Sequence, residues 1–348
     1  MFFSSNRFSF IFVLMKKLWI PFVLILLIAG DLFLGSVNLS FPDIMNALTG
    51  HDSTDYVYKI IWNFRIPKMI TALLAGMSLA VCGAQMQTLF RNPLADPYVL
   101  GISSGAGLGV AFFVMGSSWL GASNAPAWLT NLGTAAFAWM GALAVMLIIV
   151  AASKRLKSNM TLLILGIMIG SAGSALIGLI QYFSEATALK TYVLWTMGSF
   201  GNVTGNRLAI MAILCITGLG ISFLNIKDLN VLLMGEEYAK SLGINVSRVR
   251  NRIFLATTLL AGSVTAFCGP IGFIGIAVPH IARMLFNNAN HRVLIPASAI
   301  LGAGMMILAD IISQMPGSQS ILPVNTVAAL MGIPVIIYVI FKNRAVKL

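Results

Sequence analysis

Few side chains in this 348-residue sequence have the types and spacing that chemistry requires. His280, in AVPHIAR, could ligate a metal or a haem iron, but it stands alone beside Pro279 at the end of an apolar run, a place that suits a structural histidine better. The run GISSGAGLG (101–109) has the glycines of a phosphate-binding loop, yet no Gly-Lys-Ser/Thr follows and its surroundings are apolar, so it is not a nucleotide site. Cys82, Cys215 and Cys268 form no Cys-x-x-Cys or Cys/His cluster and read as small packing residues. The 19 methionines build no Met-x-x-Met ladder and read as adaptable apolar filling. No Ser/His/Asp set, His-Glu-x-x-His or paired carboxylates are evident, which leaves catalysis little support. No cofactor or metal is expected on this chain.

One polar stretch is left unexplained. RNPLADPYVLG (91–101) sets an arginine, an aspartate and two prolines between apolar runs at 69–90 and 98–116. A plain reversal of the chain needs less chemistry.

The elements that carry this stretch follow from composition. With 58% hydrophobic and 9% charged residues and a mean hydropathy of +0.92, the chain has too little polar surface to cover a soluble globule. A hydrocarbon core of about 30 Å takes roughly 20 apolar residues per helix. Ten spans are predicted, at about 18–36, 67–90, 98–116, 128–152, 161–183, 207–226, 253–269, 271–286, 293–313 and 323–341. The apolar runs are continuous rather than alternating, which excludes a barrel. The expected fold class is therefore all-α, a polytopic membrane protein forming a single transmembrane domain over 1–348.

The formal charge of +12 does not indicate nucleic acid, because the basic residues are sorted by side. With the N-terminus inside, only Lys59, Arg65, Lys68, Lys190 and Arg207 of the 22 basic residues fall outside. That bias fits ten spans with both termini cytoplasmic. The start, MFFSSNRFSFIFVLMKK, precedes LWIPFVLILLIAG without a small-x-small cleavage site and reads as leading into a retained first span; Met15 is an equally sensible start.

Two longer polar segments interrupt the spans. Residues 38–68 lie outside, with Asp43, Asp52 and Asp55; residues 227–252 lie inside. In the second, Leu229, Leu232, Leu233, Tyr238, Leu242 and Ile244 recur at helical spacing while Glu236, Glu237, Lys240 and Arg248 can face water. An amphipathic helix pair against the membrane and a docking surface for a soluble partner are both open on this pattern. Spans two and seven each run into a Gly/Pro-containing break, from opposite sides, a faint sign of the inverted repeats of transporters. The many glycines within spans allow close helix packing. Asp31 and Asp310 sit near outer ends, and nothing resembles the buried ionisable relay of an ion-coupled carrier.

Taken together, RIPK (65–68), GAQMQTLFRNPLADPYVLGISSGAGLG (83–109), WTMGSFGNV (195–203), MGEEYAKSLGINVSRVR (234–250), CGPIGFIGIAVPHIARML (268–285), the Ala309-Asp310 pair and LPVNTVAALMGIP (322–334) resemble the iron-siderophore, haem and cobalamin permease family of bacterial ABC importers, with the type II importer fold. The resemblance implies a homodimer in the inner membrane with the path at the dimer interface. Two ABC ATPase subunits would carry ATP-Mg, and a periplasmic binding protein would deliver substrate. The expected function is import of an iron-siderophore, haem or cobalamin-type substrate; an ion-coupled secondary transporter is the alternative. By the same resemblance Gly235, Glu236, Glu237, Ala239, Leu242 and Gly243 are the ATPase coupling region. Asn92 and Leu94, with Asn159 and Met160, match the cytoplasmic gate. The prolines then make physical sense, since non-helical backbone at membrane depth is tolerated where it borders a cavity. Arg65 and Lys68 would dock the binding protein, with Lys68 in place of a second arginine giving up the bidentate fork. The chain departs from the pattern at Gln314, where relatives commonly have arginine, and at Ile321 and Asn325, which suggests weaker or rearranged docking.

Overall fold

The computed structural model describes residues 4–35, 37, 39–50, 55–119, 127–156, 158–315 and 321–342. Asp52 of the outer segment and Lys157, Arg344 and Lys347, three of the basic residues expected inside, lie outside the described residues. The secondary structure of the described residues is all helical, with no strand among them.

The helices are α1 (Ser4–Phe33), α2 (Phe41–Thr49), α3 (Asp55–Ile60), α4 (Ile66–Leu89), α5 (Ile102–Trp119), α6 (Ala127–Ser153), α7 (Asn159–Tyr182) and α8 (Ala186–Thr196). They continue as α9 (Gly205–Leu224), α10 (Ile226–Leu232), α11 (Glu236–Ser241), α12 (Val246–Thr257), α13 (Ser263–Cys268), α14 (Ile274–Phe286), α15 (His291–Gln314) and α16 (Val324–Lys342). A π turn, Ile61–Arg65, joins α3 to α4, and another, Thr258–Gly262, joins α12 to α13.

Among the described residues seven helices are long and apolar enough to cross a membrane: Tyr56–Leu89, Leu132–Ser153, Asn159–Tyr182, Gly205–Leu224, Val246–Cys268, His291–Gln314 and Val324–Phe341. The first, third and eighth expected spans coincide with shorter apolar stretches, Trp19–Phe33, Ile102–Gly116 and Ile274–Phe286. Helix length alone therefore supports seven of the ten expected spans. The eighth is the shortest: its helix begins at Ile274 rather than at 271 and has 13 residues, about 20 Å of rise.

Ahead of α14 the chain is non-helical from Gly269 to Phe273, and two glycines make that possible. Gly269 and Gly198 both have positive φ, 80° and 74°. A Cβ on Gly269 would strike the Trp195 carbonyl oxygen, so the two irregular segments pack backbone against backbone. The Ser199 N–H donates to Cys268 O at 2.8 Å. The Gly272 N–H donates to Asn325 Oδ1 at 3.1 Å. Polar backbone freed by the break is thus bonded again inside the protein, as burial in an apolar medium demands.

α4 is the centre of the bundle. It crosses α15 where Gly76 and Gly302 face each other, and a Cβ on either would collide with the other's carbonyl oxygen. Local signals set the ends of the helices that re-enter the bundle: Asn245 caps α12 through the Arg248 N–H at 3.0 Å, and Asn290 caps α15 through the Arg292 N–H at 2.9 Å.

Candidate functional site

The 91–97 turn begins as a Schellman cap on α4. Arg91 takes the left-handed conformation, φ 48°, its N–H bonds to Thr88 O at 3.2 Å, and the Asn92 N–H bonds to Gln87 O at 3.1 Å. Glycine usually fills that position, and an L-residue there costs about 1 kcal/mol. The arginine is placed by this strain, since its guanidinium extends over Gly235, 3.7 Å from where a Cβ would stand.

The rest of the turn is bonded residue by residue. Asn92 Oδ1 accepts the Leu94 N–H at 3.0 Å, and Asp96 Oδ1 accepts the Tyr98 N–H at 2.9 Å, capping a 3-10 turn at Pro97–Leu100. His280 Nε2 donates to Pro93 O at 2.8 Å, so the lone histidine fixes the turn to α14. Burial pushes the Asp96 carboxyl up to about 6, against the lowering effect of the Tyr98 N–H. Within this scaffold Leu94 remains 41% exposed and Asn92 is half-buried.

Asn159 and Met160 open α7 beside the same turn. Met160 is exposed. Asn159 is half-buried, and its Nδ2 donates both to Leu89 O, at 2.7 Å, and to Glu236 Oε1. Its Oδ1 accepts from Arg250 Nη1 at 3.3 Å, and Arg250 Nη2 donates to Ser153 O at 2.8 Å. One carboxamide therefore joins the end of α4, the start of α11 and the first turns of α12.

The 227–252 segment folds as α10 and α11 followed by α12, which matches the helix-pair pattern. Its six singled-out residues divide by role. Gly235, with φ 114°, and Ala239 are buried and shape the bend. Glu236 turns inward to Asn159. Glu237, Leu242 and Gly243 face outward, with Glu237 paired to Lys240 at 2.6 Å. That pair is exposed and adds little stability; the hydrogen bond to Glu237 raises the Lys240 pKa. Of the apolar residues at helical spacing, Leu229 and Leu232 are buried and Ile244 is half-buried, whereas Leu233, Tyr238 and Leu242 are exposed, as is Met234. Exposed apolar side chains on a polar segment mark a contact surface better than the charges do.

At the opposite end of α4, Arg65 Nη1 donates to Leu32 O at 2.6 Å and to Phe33 O at 3.2 Å, and Nη2 donates to Val37 O at 2.5 Å. The guanidinium thus caps the C-terminus of α1. Lys68 Nζ lies 3.0 Å from Asp310 Oδ1. Gln314 Nε2 donates to Asp310 Oδ2 at 2.9 Å and to Asp31 Oδ1 at 3.1 Å. All three of these acceptor and donor residues are buried. The sequence reading placed Gln314 on a docking face; the structure places it inside, bridging two carboxylates. Asn325 likewise serves the broken segment, and Ile321 is exposed.

The model of the FecCD transport family matches residues 23–342. The chain belongs to this family. It is 35% identical over 332 residues to the hemin transport system permease protein HmuU of Yersinia pestis, covering 94% of this chain and 96% of that one. It is 38% identical over 284 residues to the vitamin B12 import system permease protein BtuC of Citrobacter koseri, covering 82% and 83%. It is similar to a solved structure described as an inward-facing conformation of a metal-chelate type ABC transporter, with TM-score 0.80, 28% identity and coverage of 93% of this chain and 98% of that one.

In this FecCD member several residues that build the site carried no usable signal in the sequence. Arg250 is one of the many basic residues expected inside, and Ser153 and Asn230 lie in no motif that the sequence singles out. Only the fold brings them together, across 97 residues for Arg250 and Ser153 and 61 for Asn230 and His291.

Proposed function

We propose that this chain is the permease subunit of an ATP-driven importer carrying a bulky iron chelate, haem or corrinoid across the bacterial inner membrane. It works as a homodimer of ten-span subunits with both termini cytoplasmic, the path lying between the two copies. Two ATPase subunits hold ATP-Mg and seat on the 227–252 segment, against Glu237, Leu242, Gly243 and the exposed Met234 and Tyr238. Asn92, Leu94, Asn159 and Met160 close the inner end of the path. A periplasmic binding protein docks at the end that carries Arg65 and Lys68. The relatives named for hemin and vitamin B12 transport support the substrate class.

The observation that carries the reading is the Asn159 carboxamide, bonded at once to the carbonyl of Leu89, the last residue of α4 ahead of the gate turn, and to Glu236 of the docking segment. Force applied to α11 reaches the turn through one rigid planar group. Rearrangement of the ATPase can thereby open or close the path without any nucleotide site on this chain.

Co-purification of the permease with its ATPase, followed by native mass measurement, should give two copies of each. A complex with one permease copy, or none with the ATPase, would reject the assembly. The ligand retained by the purified binding protein, tested against haemin, cyanocobalamin and ferric siderophores, identifies the cargo.

A further inference from the structure

The docking segment meets α4 at a second place, away from Asn159. Asn230, in α10, accepts at Oδ1 from the His291 backbone N–H, at 2.7 Å, and from the ring Nδ1, at 3.0 Å. Its Nδ2 donates to Asn290 Oδ1 at 2.9 Å. The other ring nitrogen, Nε2, stands 2.8 Å from Thr88 Oγ1 on the last turn of α4. His291 is fully buried and Thr88 nearly so. A carboxamide oxygen can only accept, so Nδ1 carries the ring proton and Nε2 offers its lone pair to the Thr88 hydroxyl. That hydroxyl has a single proton and a second acceptor, Ala84 O at 3.1 Å. Thr88 therefore has two discrete arrangements, one bonded across to His291 and one folded back on its own helix.

The position matters as much as the chemistry. The Thr88 carbonyl accepts the Arg91 N–H that sets the left-handed start of the turn. Apolar side chains would fill this space without direction. The buried Thr88 hydroxyl and His291 imidazole cost about 1–3 kcal/mol each if left unpaired, and Asn230 is half-buried, so a displaced α10 must carry the ring with it or break the chain of bonds. Asn230 and Thr88 do not bond to each other, and the imidazole is what joins them.

We propose that Asn230, His291 and Thr88 form a hydrogen-bonded relay, buried at His291 and Thr88, that transmits movement of the docking segment to the 91–97 turn, in parallel with Glu236 and Asn159. The three act as positioning residues, and the relay rests on the reading of this chain as an ATP-driven permease.

The test uses the permease in complex with its ATPase, reconstituted in lipid, with Leu94→Cys as reporter. The natural Cys82, Cys215 and Cys268 are buried and stay silent. Alkylation at position 94 by a water-soluble maleimide is timed with and without ATP plus vanadate. In this parent the rate should change at least about fivefold, the lower end of usual coupling between sites. Thr88→Val, which keeps the shape and removes the hydroxyl, and Asn230→Ala at the other end should each shrink the change below about twofold at unchanged ATPase co-purification, in a folded permease whose Tm is lowered by the unpaired imidazole nitrogen. Thr88→Ser should restore it, and the Thr88→Val, Asn230→Ala double variant should be no worse than either alone. Full responses in both single variants would overturn the relay alone. Loss of ATPase co-purification would overturn it too, since the residues would then serve assembly. An unresponsive parent would overturn the gate reading and the relay with it.

Discussion

Asn159 and Glu236 are hydrogen-bonded to each other across 77 residues of sequence, and the adjacent Glu237 points the opposite way, to Lys240. Two neighbouring glutamates thus have different work. Glu236→Gln keeps the size of the side chain and should lower stability by about 1–2 kcal/mol, as loss of a charged hydrogen-bond partner does. Glu237→Lys should leave Tm unchanged and weaken ATPase co-purification. Thermal unfolding and pull-down, measured on both variants, separate the roles; equal effects on both readouts would mean that the inward and outward positions are not distinct.

Asn92 and Leu94 stand on a turn whose backbone is fixed independently by Thr88, Gln87 and His280. Asn92→Ala with Leu94→Ala should therefore leave a folded dimer that leaks a small solute from liposomes without ATP. The Asn92 side chain does cap the Leu94 N–H, so a loss of roughly 1 kcal/mol in stability accompanies the leak. A stable double variant with a sealed path would make the turn a scaffold only.

The cations of RIPK are committed within the subunit, which alters what charge reversal means. Lys68→Glu adds a third carboxylate beside Asp310 and Asp31 and should cost about 3–5 kcal/mol. Arg65→Gln, which keeps donors for the α1 carbonyls, should weaken binding-protein docking more than it lowers Tm. Docking should also fall with salt, since exposed charges are screened over about 8 Å at physiological ionic strength. Gln314→Arg should leave docking unchanged, because the site is buried. Tighter docking in Gln314→Arg would contradict the buried assignment.

Asp96 supplies a pH signature. Its carboxyl is raised to about 6 by burial, so the folded state holds the proton more tightly than the unfolded chain. That contribution is full below about pH 4 and is lost as pH rises to about 6, on the order of 3 kcal/mol in all. Asp96→Asn keeps an acceptor for the Tyr98 N–H and carries no charge. Its stability relative to the parent should rise between those pH values and then level off; a difference independent of pH would remove Asp96 as the cause.

Much of the architecture was legible because membrane burial writes long apolar runs, and the motifs around 83–109 and 268–285 lie where the helices break. The helix pair at 227–252 was visible in its spacing. Its exposed face was not: Tyr238 and Leu242 share the period of Leu229 and Leu232, and periodicity cannot tell a buried apolar stripe from one kept for a partner. The outer cluster was invisible for a different reason. Asp31, Lys68, Asp310 and Gln314 come from three helices, and only packing brings them within bonding distance. The Gly/Pro break after span seven was legible, but how short α14 is and the Gly198–Gly269 contact depend on packing.

Uptake into proteoliposomes bears most directly on the central claim. Vesicles containing the permease and its ATPase, with binding protein outside charged with the ligand it retains on purification, are given ATP inside, a proton or sodium gradient, or both. Accumulation should require ATP and the binding protein, persist when the gradients are collapsed, and fall severalfold per ATP consumed in Asn159→Ala. Accumulation driven by a gradient in vesicles without ATP or the ATPase would contradict the account and make this chain an ion-coupled carrier.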